Sequence, residues 1–157
     1  MTRKGCCIHT YKVLSVILKI DILDPVYTPI VSRIYKAYYP SGKAKKDELT
    51  IVGSIDQQII ALVRFRNIEQ FRLLTGMLVI PEHRGSGLGH QLMGYCAQHV
   101  LSEQDFCFAY AYLEPFYAQH NFKMIDVSQL PNSLKGLFER YSLKKQLVAM
   151  KYVKPFQ

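Results

Sequence analysis

No apolar run in this 157-residue chain is long and uninterrupted enough to cross a bilayer, because His9, Lys12 and Lys19 break up the apolar stretch near its start. The basic opening, Arg3 and Lys4 followed by Cys6-Cys7-Ile8, therefore reads as an irregular leader over residues 1–13 rather than a targeting segment. Cysteine is scarce: the four residues Cys6, Cys7, Cys96 and Cys107 form no Cys-x-x-Cys pair, and the five histidines are scattered. That spacing argues against a zinc site, so no metal is expected, and it fits reduced thiols in a cytoplasmic protein. Cys96 falls on the apolar side of a helical pattern, which makes it a core residue rather than a nucleophile. Repeats, low-complexity tracts and long linkers are all absent, so residues 1–157 read as one domain. Acids are in the minority, 12 against 20 Lys+Arg, for a net charge of +8. Such an excess favours anionic contacts, including acidic substrates. It is concentrated at Lys43-Ala44-Lys45-Lys46 and Lys144-Lys145. With no nucleic-acid motif in the chain, these lysines read as solvated surface; neither nucleic acid nor membrane is an expected partner, and a homodimer stays open.

What the chain does have is a strand, a glycine turn and a helix start in immediate succession. Met77-Leu78-Val79-Ile80 ends at Pro81; then come Arg84, Gly85, Ser86, Gly87, Leu88, Gly89 and His90, where an amphipathic helix begins. The first N–H groups of a helix have no intrahelical partner, and the helix dipole favours negative charge beside them. Glycines permit unusual backbone angles and let a large anion come close. Residues 84–90 therefore read as a phosphate site. A P-loop would end in Gly-Lys-Ser/Thr, whereas Gly89 is followed by His90 and Gln91. A dinucleotide fold needs Gly-x-Gly-x-x-Gly and an acid at a strand end about 20 residues on. The spacing here is Gly85-x-Gly87-x-Gly89, and Asp105 begins a strand instead of ending one.

The pattern Arg-x-x-Gly-x-Gly, carried by Arg84, Gly87 and Gly89, resembles the acyl-CoA motif of the GNAT superfamily of N-acetyltransferases. A second segment, Glu114-Pro115-Phe116-Tyr117-Ala118-Gln119-His120-Asn121-Phe122, resembles that family's Phe-Tyr-x-x-x-Gly-Phe, with Asn121 replacing the glycine. Asparagine tolerates the left-handed conformation, so the departure is mild. More loosely, the resemblance runs from about Leu14 to Val153.

Hydrophobic spacing predicts strands at Leu14–Ile20, Leu49–Ile55, Ile59–Phe65, Phe71–Ile80, Phe106–Tyr112, Phe122–Val127 and Leu147–Val153. It predicts helices at Pro25–Tyr38, with Val26, Ile30, Ile34 and Ala37 as the inner stripe, at Gly87–Leu101, at Pro115–His120 and at Ser133–Tyr141. On the fifth strand Phe106, Phe108, Tyr110 and Tyr112 share one face, and Cys107, Ala109 and Ala111 the other. The expected architecture is α+β, a mainly antiparallel central sheet flanked by helices on both faces, and the resemblance implies the GNAT acyl-CoA N-acyltransferase fold.

The resemblance also implies an activity: transfer of the acetyl group of acetyl-CoA to a primary amine by direct attack in a ternary complex. It implies that Arg84, Gly85, Ser86, Gly87, Leu88, Gly89 and His90 cradle the CoA pyrophosphate. The backbone of Met77 and Val79 would bind the pantetheine and the thioester oxygen. Tyr117 would be the general acid that meets the departing thiolate. Relatives often carry a glutamate on the strand before the cradle; Arg72-Leu73-Leu74-Thr75-Gly76 holds no carboxylate, so no base is assigned. Glu69, Glu82, Glu114, His83 and His120 read as surface residues. The acceptor would lie between Tyr38–Glu48 and Ser128–Lys145. Two rival readings are a CoA-binding sensor without turnover and a basic RNA-associated domain.

Overall fold

The computed structural model describes residues 16–40 and 42–156; the expected leader over 1–13, Cys6, Cys7 and the first residues of the Leu14–Ile20 strand lie outside them. The described elements run β1 (Lys19–Ile22), α1 (Thr28–Tyr38), β2 (Leu49–Ile55), β3 (Gln58–Ile68), β4 (Phe71–Val79), α2 (Leu88–His99), β5 (Asp105–Tyr110), α3 (Glu114–Ala118), β6 (Phe122–Met124), α4 (Asn132–Ser142) and β7 (Leu147–Tyr152). The strands form one seven-stranded sheet in the order β1-β2-β3-β4-β5-β7-β6. Every neighbouring pair is antiparallel except β4 and β5. This is the mixed, mainly antiparallel sheet expected from the spacing.

Helices cover both faces. Leu88, Leu92, Met93 and Cys96 of α2 and Tyr117 of α3 pack with Ile51, Val63, Phe65, Leu74, Cys107 and Ala109 on one face. On the other face Val31 and Tyr35 of α1 meet Val52, Leu62 and Leu78, and Leu134, Leu137 and Phe138 of α4 meet Leu73, Phe106 and Ala149. A strand covered on both sides has no solvent side to supply polar residues. Ile60, Ala61, Leu62, Val63 and Phe65 of β3 are accordingly all at 0% exposure. Each large apolar side chain so buried contributes about 1.5–3 kcal/mol.

Four expectations shift in the structure. Helix α1 buries Thr28, Val31 and Tyr35, not the stripe of Val26, Ile30, Ile34 and Ala37. A separate 3-10 turn over Pro25–Tyr27, capped by Asp24, resets the phase, so that the helix proper starts at Thr28. Tyr35 then takes the core position because its hydroxyl finds a buried acceptor. Strand β1 pairs over Lys19–Ile22, two residues beyond the expected end, because the register of β2 fixes it; Leu18 instead packs into the core and donates its N–H to Gln91 Oε1 at 2.9 Å. Strand β5 stops at Tyr110, where a 3-10 turn over Ala111–Leu113 leads into α3, so Tyr112 leaves the strand and is exposed. Strand β6 stops at Met124, since Asp126 and Gln129 form a capping box around the next turn.

Two irregularities in β4 shape the middle of the sheet. Its register with β3 passes from Leu62↔Leu78 to Arg64↔Thr75, so Gly76 and Met77 together oppose Val63. This is a bulge, with Gly76 at φ +63. On the other side, β4 pairs with β5 only through Arg72↔Asp105, Leu73↔Phe106 and Leu74↔Cys107. After Leu74 the two strands part.

Candidate active site

The gap between β4 and β5 opens onto a cavity of about 960 Å³. Cys107 and Ala109 of β5, Met77 and Val79 of β4, and Phe116 and Tyr117 of α3 are among its lining residues. The small side chains at 107 and 109 keep that wall low; Ala111, expected to extend it, has left the strand. Main-chain direction settles which groups of β4 face the gap. Ile80 N–H donates to Ile60 C=O at 2.9 Å, toward β3. Because main-chain groups alternate sides along a strand, the N–H and C=O of Val79 and Met77 point away from β3, toward the space β5 has left.

At the end of β4 the chain turns through Pro81–His83, then through Gly85 (φ +88) and Gly87 (φ +82), into α2. A Cβ at either glycine would meet nothing within 4 Å. Open space lies over the turn, and what demands glycine is the left-handed backbone alone. Gly87 is the N-cap and gives no side-chain cap. The first bond of the helix runs from Gln91 N–H to Gly87 C=O at 3.1 Å, which leaves the N–H groups of Leu88, Gly89 and His90 without intrahelical acceptors. Arg84 donates Nε to Val79 C=O at 2.8 Å and ties the turn to the strand end. Ser86 Oγ donates to His83 C=O at 3.1 Å, which shapes the turn internally. A second hollow of about 380 Å³ lies over this turn. It shares Val79, Arg84, Gly85, Gly89 and Phe116 with the larger cavity. The hollow over the turn and the cavity at the strand gap thus lie side by side, with these residues as their common wall.

Tyr117 is 6% exposed and lies against Phe116 and Phe122 with ring centroids 5.1 and 5.9 Å away. Burial raises its phenol well above the usual tyrosine range, and Cys107 adds to the shift. The group is a neutral donor at neutral pH. Asn121, the residue standing where the resemblance has glycine, adopts φ +68 just after α3. Cys96 is a core residue at 0% exposure, its thiol pushed up to about 12 by burial and then by Asp105. Among the described residues no group of three or more His, Cys, Asp and Glu side chains is close enough to hold a metal ion, and no helix is long and apolar enough to cross a membrane.

Two relationships had no forecast. His120, read as a surface residue, sits with Nε2 at 2.9 Å from Nδ1 of His90 on the first turn of α2, and both rings pack on Phe116. Glu48 and Arg64 form a buried ion pair in the cavity wall, at 2.9 Å, with side-chain exposures of 4% and 6%. Burial raises Glu48 and Arg64 opposes the shift. An arginine inside the apolar run Ile59–Phe65 was the available signal, since a charge facing into a covered strand must be paired.

An acetyltransferase (GNAT) domain model matches residues 46–124, half of the chain. No curated protein matches the sequence. Solved structures that share the fold include N-acetylglutamate synthase from Neisseria gonorrhoeae in complex with coenzyme A and L-arginine, at 9% identity, covering 87% of this chain and 34% of that one, with TM-score 0.65. This chain therefore spans about a third of the synthase's length. Rv2747 from Mycobacterium tuberculosis, solved with CoA, matches at 14% identity over 86% of this chain and 98% of its own, with TM-score 0.64. The ribosomal-protein-S18-alanine N-acetyltransferase from Escherichia coli matches at 12% identity over 90% and 96%, with TM-score 0.61. A split sheet and a glycine turn within the span of the family model leave one reading of ancestry: this chain belongs to the GNAT acetyltransferase family.

Proposed function

We propose that the chain is an N-acetyltransferase that moves the acetyl group of acetyl-CoA to a primary amine by direct attack in a ternary complex. The observation that carries this reading is the parting of β4 from β5 after three paired positions, above a helix start with unbonded N–H groups. In this reading the pyrophosphate lies on Arg84–His90, held mainly by main-chain amides and the helix dipole. The pantetheine arm runs along Met77 and Val79 and takes the place of a neighbouring strand. A β4 N–H beside the thioester oxygen stabilises the tetrahedral intermediate more than the ground-state carbonyl, because charge develops on that oxygen as the amine attacks.

Tyr117 donates a hydrogen bond to the departing sulfur. A thiol ordinarily ionises near ~8.5, below a phenol near ~10, and burial widens that difference. Tyr117 therefore stabilises the thiolate by donation, while the amine's own proton leaves through water. The CoA complexes of the N. gonorrhoeae synthase and Rv2747, which share this fold, are consistent with an acyl-CoA cosubstrate.

The test is a thermal-shift titration with acetyl-CoA, longer acyl-CoAs and free CoA, followed by thiol release over a panel of amines. Saturating ligand at about 100 times its Kd adds about 2.7 kcal/mol to the native state. A melting temperature that does not move with any CoA species would overturn the assignment.

A further inference from the structure

Beyond the cradle, the cavity continues to the opposite face of the sheet. Side-chain alternation puts Arg64 on the face of α1, with Leu62 and against the ring of Tyr35, whose centroid is 4.8 Å from Arg64 Cζ. It puts Phe108 and Tyr110 of β5 on the same face, where Phe108 packs against Phe138 and Tyr141 of α4. This half of the cavity is strongly unbalanced in charge. Lys43, Lys45, Arg64, Arg66 and Lys145 line it, with Glu48 as the only described carboxylate in the lining.

Arg64 is the focus of that imbalance. It is 5% exposed, and all its hydrogen bonds to described residues leave from Nη1, to Glu48 Oε1 and Oε2 and to the carbonyl of Lys43. Its Nε is buried with no acceptor. The edge of the guanidinium that carries Nε and Nη2 looks toward Gly76, itself a lining residue: a Cβ there would lie 2.9 and 3.1 Å from those atoms. Glu48 already balances the charge of Arg64, so what the buried guanidinium lacks is a further hydrogen-bond acceptor for its Nε. Around it, Lys145 lies over the Tyr110 ring at 5.9 Å, and Arg66 Nη1 reaches Tyr141 Oη at 3.3 Å. The Arg66–Tyr141 contact is exposed and links the β3 wall to α4.

We infer that the acceptor is a small amine that also carries an anionic oxygen group, a carboxylate or a phosphate, bound by Arg64 with Arg66 and Lys145 around it. This rests on the transferase reading. Polyamines and other purely cationic amines are disfavoured by the excess of like charge in the lining.

The experiment compares matched amines on the acetyl-CoA complex: glycine with glycinamide, and O-phosphoethanolamine with ethanolamine, with putrescine as the cationic arm. Both thiol release and the further rise in melting temperature on adding each amine are read. The anionic member of at least one pair is expected to win by about tenfold or more in kcat/KM or in affinity, and the winning pair identifies carboxylate or phosphate. Arg66→Gln and Lys145→Gln are expected to raise the KM for that amine severalfold while the KM for acetyl-CoA stays unchanged. Arg64→Lys keeps the charge but loses the fork, and is expected to cost more than either. If acetyl-CoA shifts the melting temperature and the neutral or cationic amines do as well as the anionic ones, the acceptor inference is overturned and the transferase reading stands. If acetyl-CoA itself gives no shift, both fall.

Discussion

The hydroxyl of Tyr35 on α1 donates to the carbonyl of Gly76 on β4 at 2.7 Å, across 41 positions of sequence, and holds the bulge from behind. Gly76 cannot carry a side chain: φ is +63, and a Cβ would stand 2.8 Å from Tyr35 Oη. Tyr35→Phe keeps the ring but leaves a buried carbonyl without its partner, at a cost of about 1–3 kcal/mol. Gly76→Ala adds left-handed strain to a clash and is expected to cost more. For a domain this size each kcal/mol lowers the melting temperature by about 2–4 °C. A smaller loss for Gly76→Ala than for Tyr35→Phe would show that the bulge yields easily.

At the root of the strand gap, Arg72 grips Asp105 through two bonds of 2.7 Å, from Nε to Oδ1 and from Nη2 to Oδ2, and Ser102 N–H adds a third to Oδ2 at 2.7 Å. Asp105 is at 0% exposure while Arg72 is about a quarter open to solvent. Asp105→Ala leaves the guanidinium only the carbonyl of Val100. Breaking a buried pair costs about 3–5 kcal/mol, and the partial exposure of Arg72 places the expectation near the lower end. The urea midpoint measures it; a change under about 1 kcal/mol, the range of surface pairs, would mean that the pair is fully screened.

Tyr117→Phe separates binding from chemistry. The ring packing against Phe116 and Phe122 survives the change. Affinity for CoA and acetyl-CoA is expected to hold within about twofold, while kcat falls about 100-fold, as for the loss of one hydrogen-bond donor to charge that develops in the transition state. Unchanged kcat would remove Tyr117 from the chemistry, and a protein that binds acetyl-CoA but turns over no amine would be the sensor.

Gly87→Ala is expected to weaken acetyl-CoA binding without a steric cause, because a Cβ there meets no atom within 4 Å. The cost is strain at φ +82, about 1–3 kcal/mol, relieved by rotating the peptides that begin α2. Calorimetric titration should show Kd rising about tenfold or more, since 1.4 kcal/mol is a factor of ten. An unaltered Kd would mean that the turn does not hold the ligand.

Much of this was legible because local chemistry and tertiary packing agree. Strand β2 falls on Leu49–Ile55 as its spacing predicts, and the Arg84–Gly89 turn opens α2 where its glycines say it should. The errors come from elements whose boundaries are set by distant partners. Counting only aliphatic residues gave α1 the wrong face, because nothing near Tyr35 in sequence reveals the Gly76 carbonyl that lets a tyrosine into the core. Arg64 and Glu48 lie 16 positions apart, on β3 and in the loop before β2, and only the sheet register shows that they meet. The same holds for His90 and His120, 30 residues apart and joined by the docking of α3 on α2.

That histidine pair gives a pH dependence with a definite sign. A hydrogen bond between two imidazoles needs a free lone pair, so at least one ring must be neutral. Burial, and then the neighbouring His90, lower the pKa of His120. The unfolded chain therefore takes up a proton near the ordinary value of about 6.5, before the folded protein does. With more protons on the unfolded state, stability falls as pH drops from about 6.5 toward the folded value, and is unaffected by this group above that window. Urea midpoints at about pH 7.5, 6.5 and 5.5 should decline for the native protein, and decline less for His120→Gln. Parallel declines in the two proteins would assign the acid sensitivity to other groups, and the 2.9 Å approach of the rings would then carry no linkage.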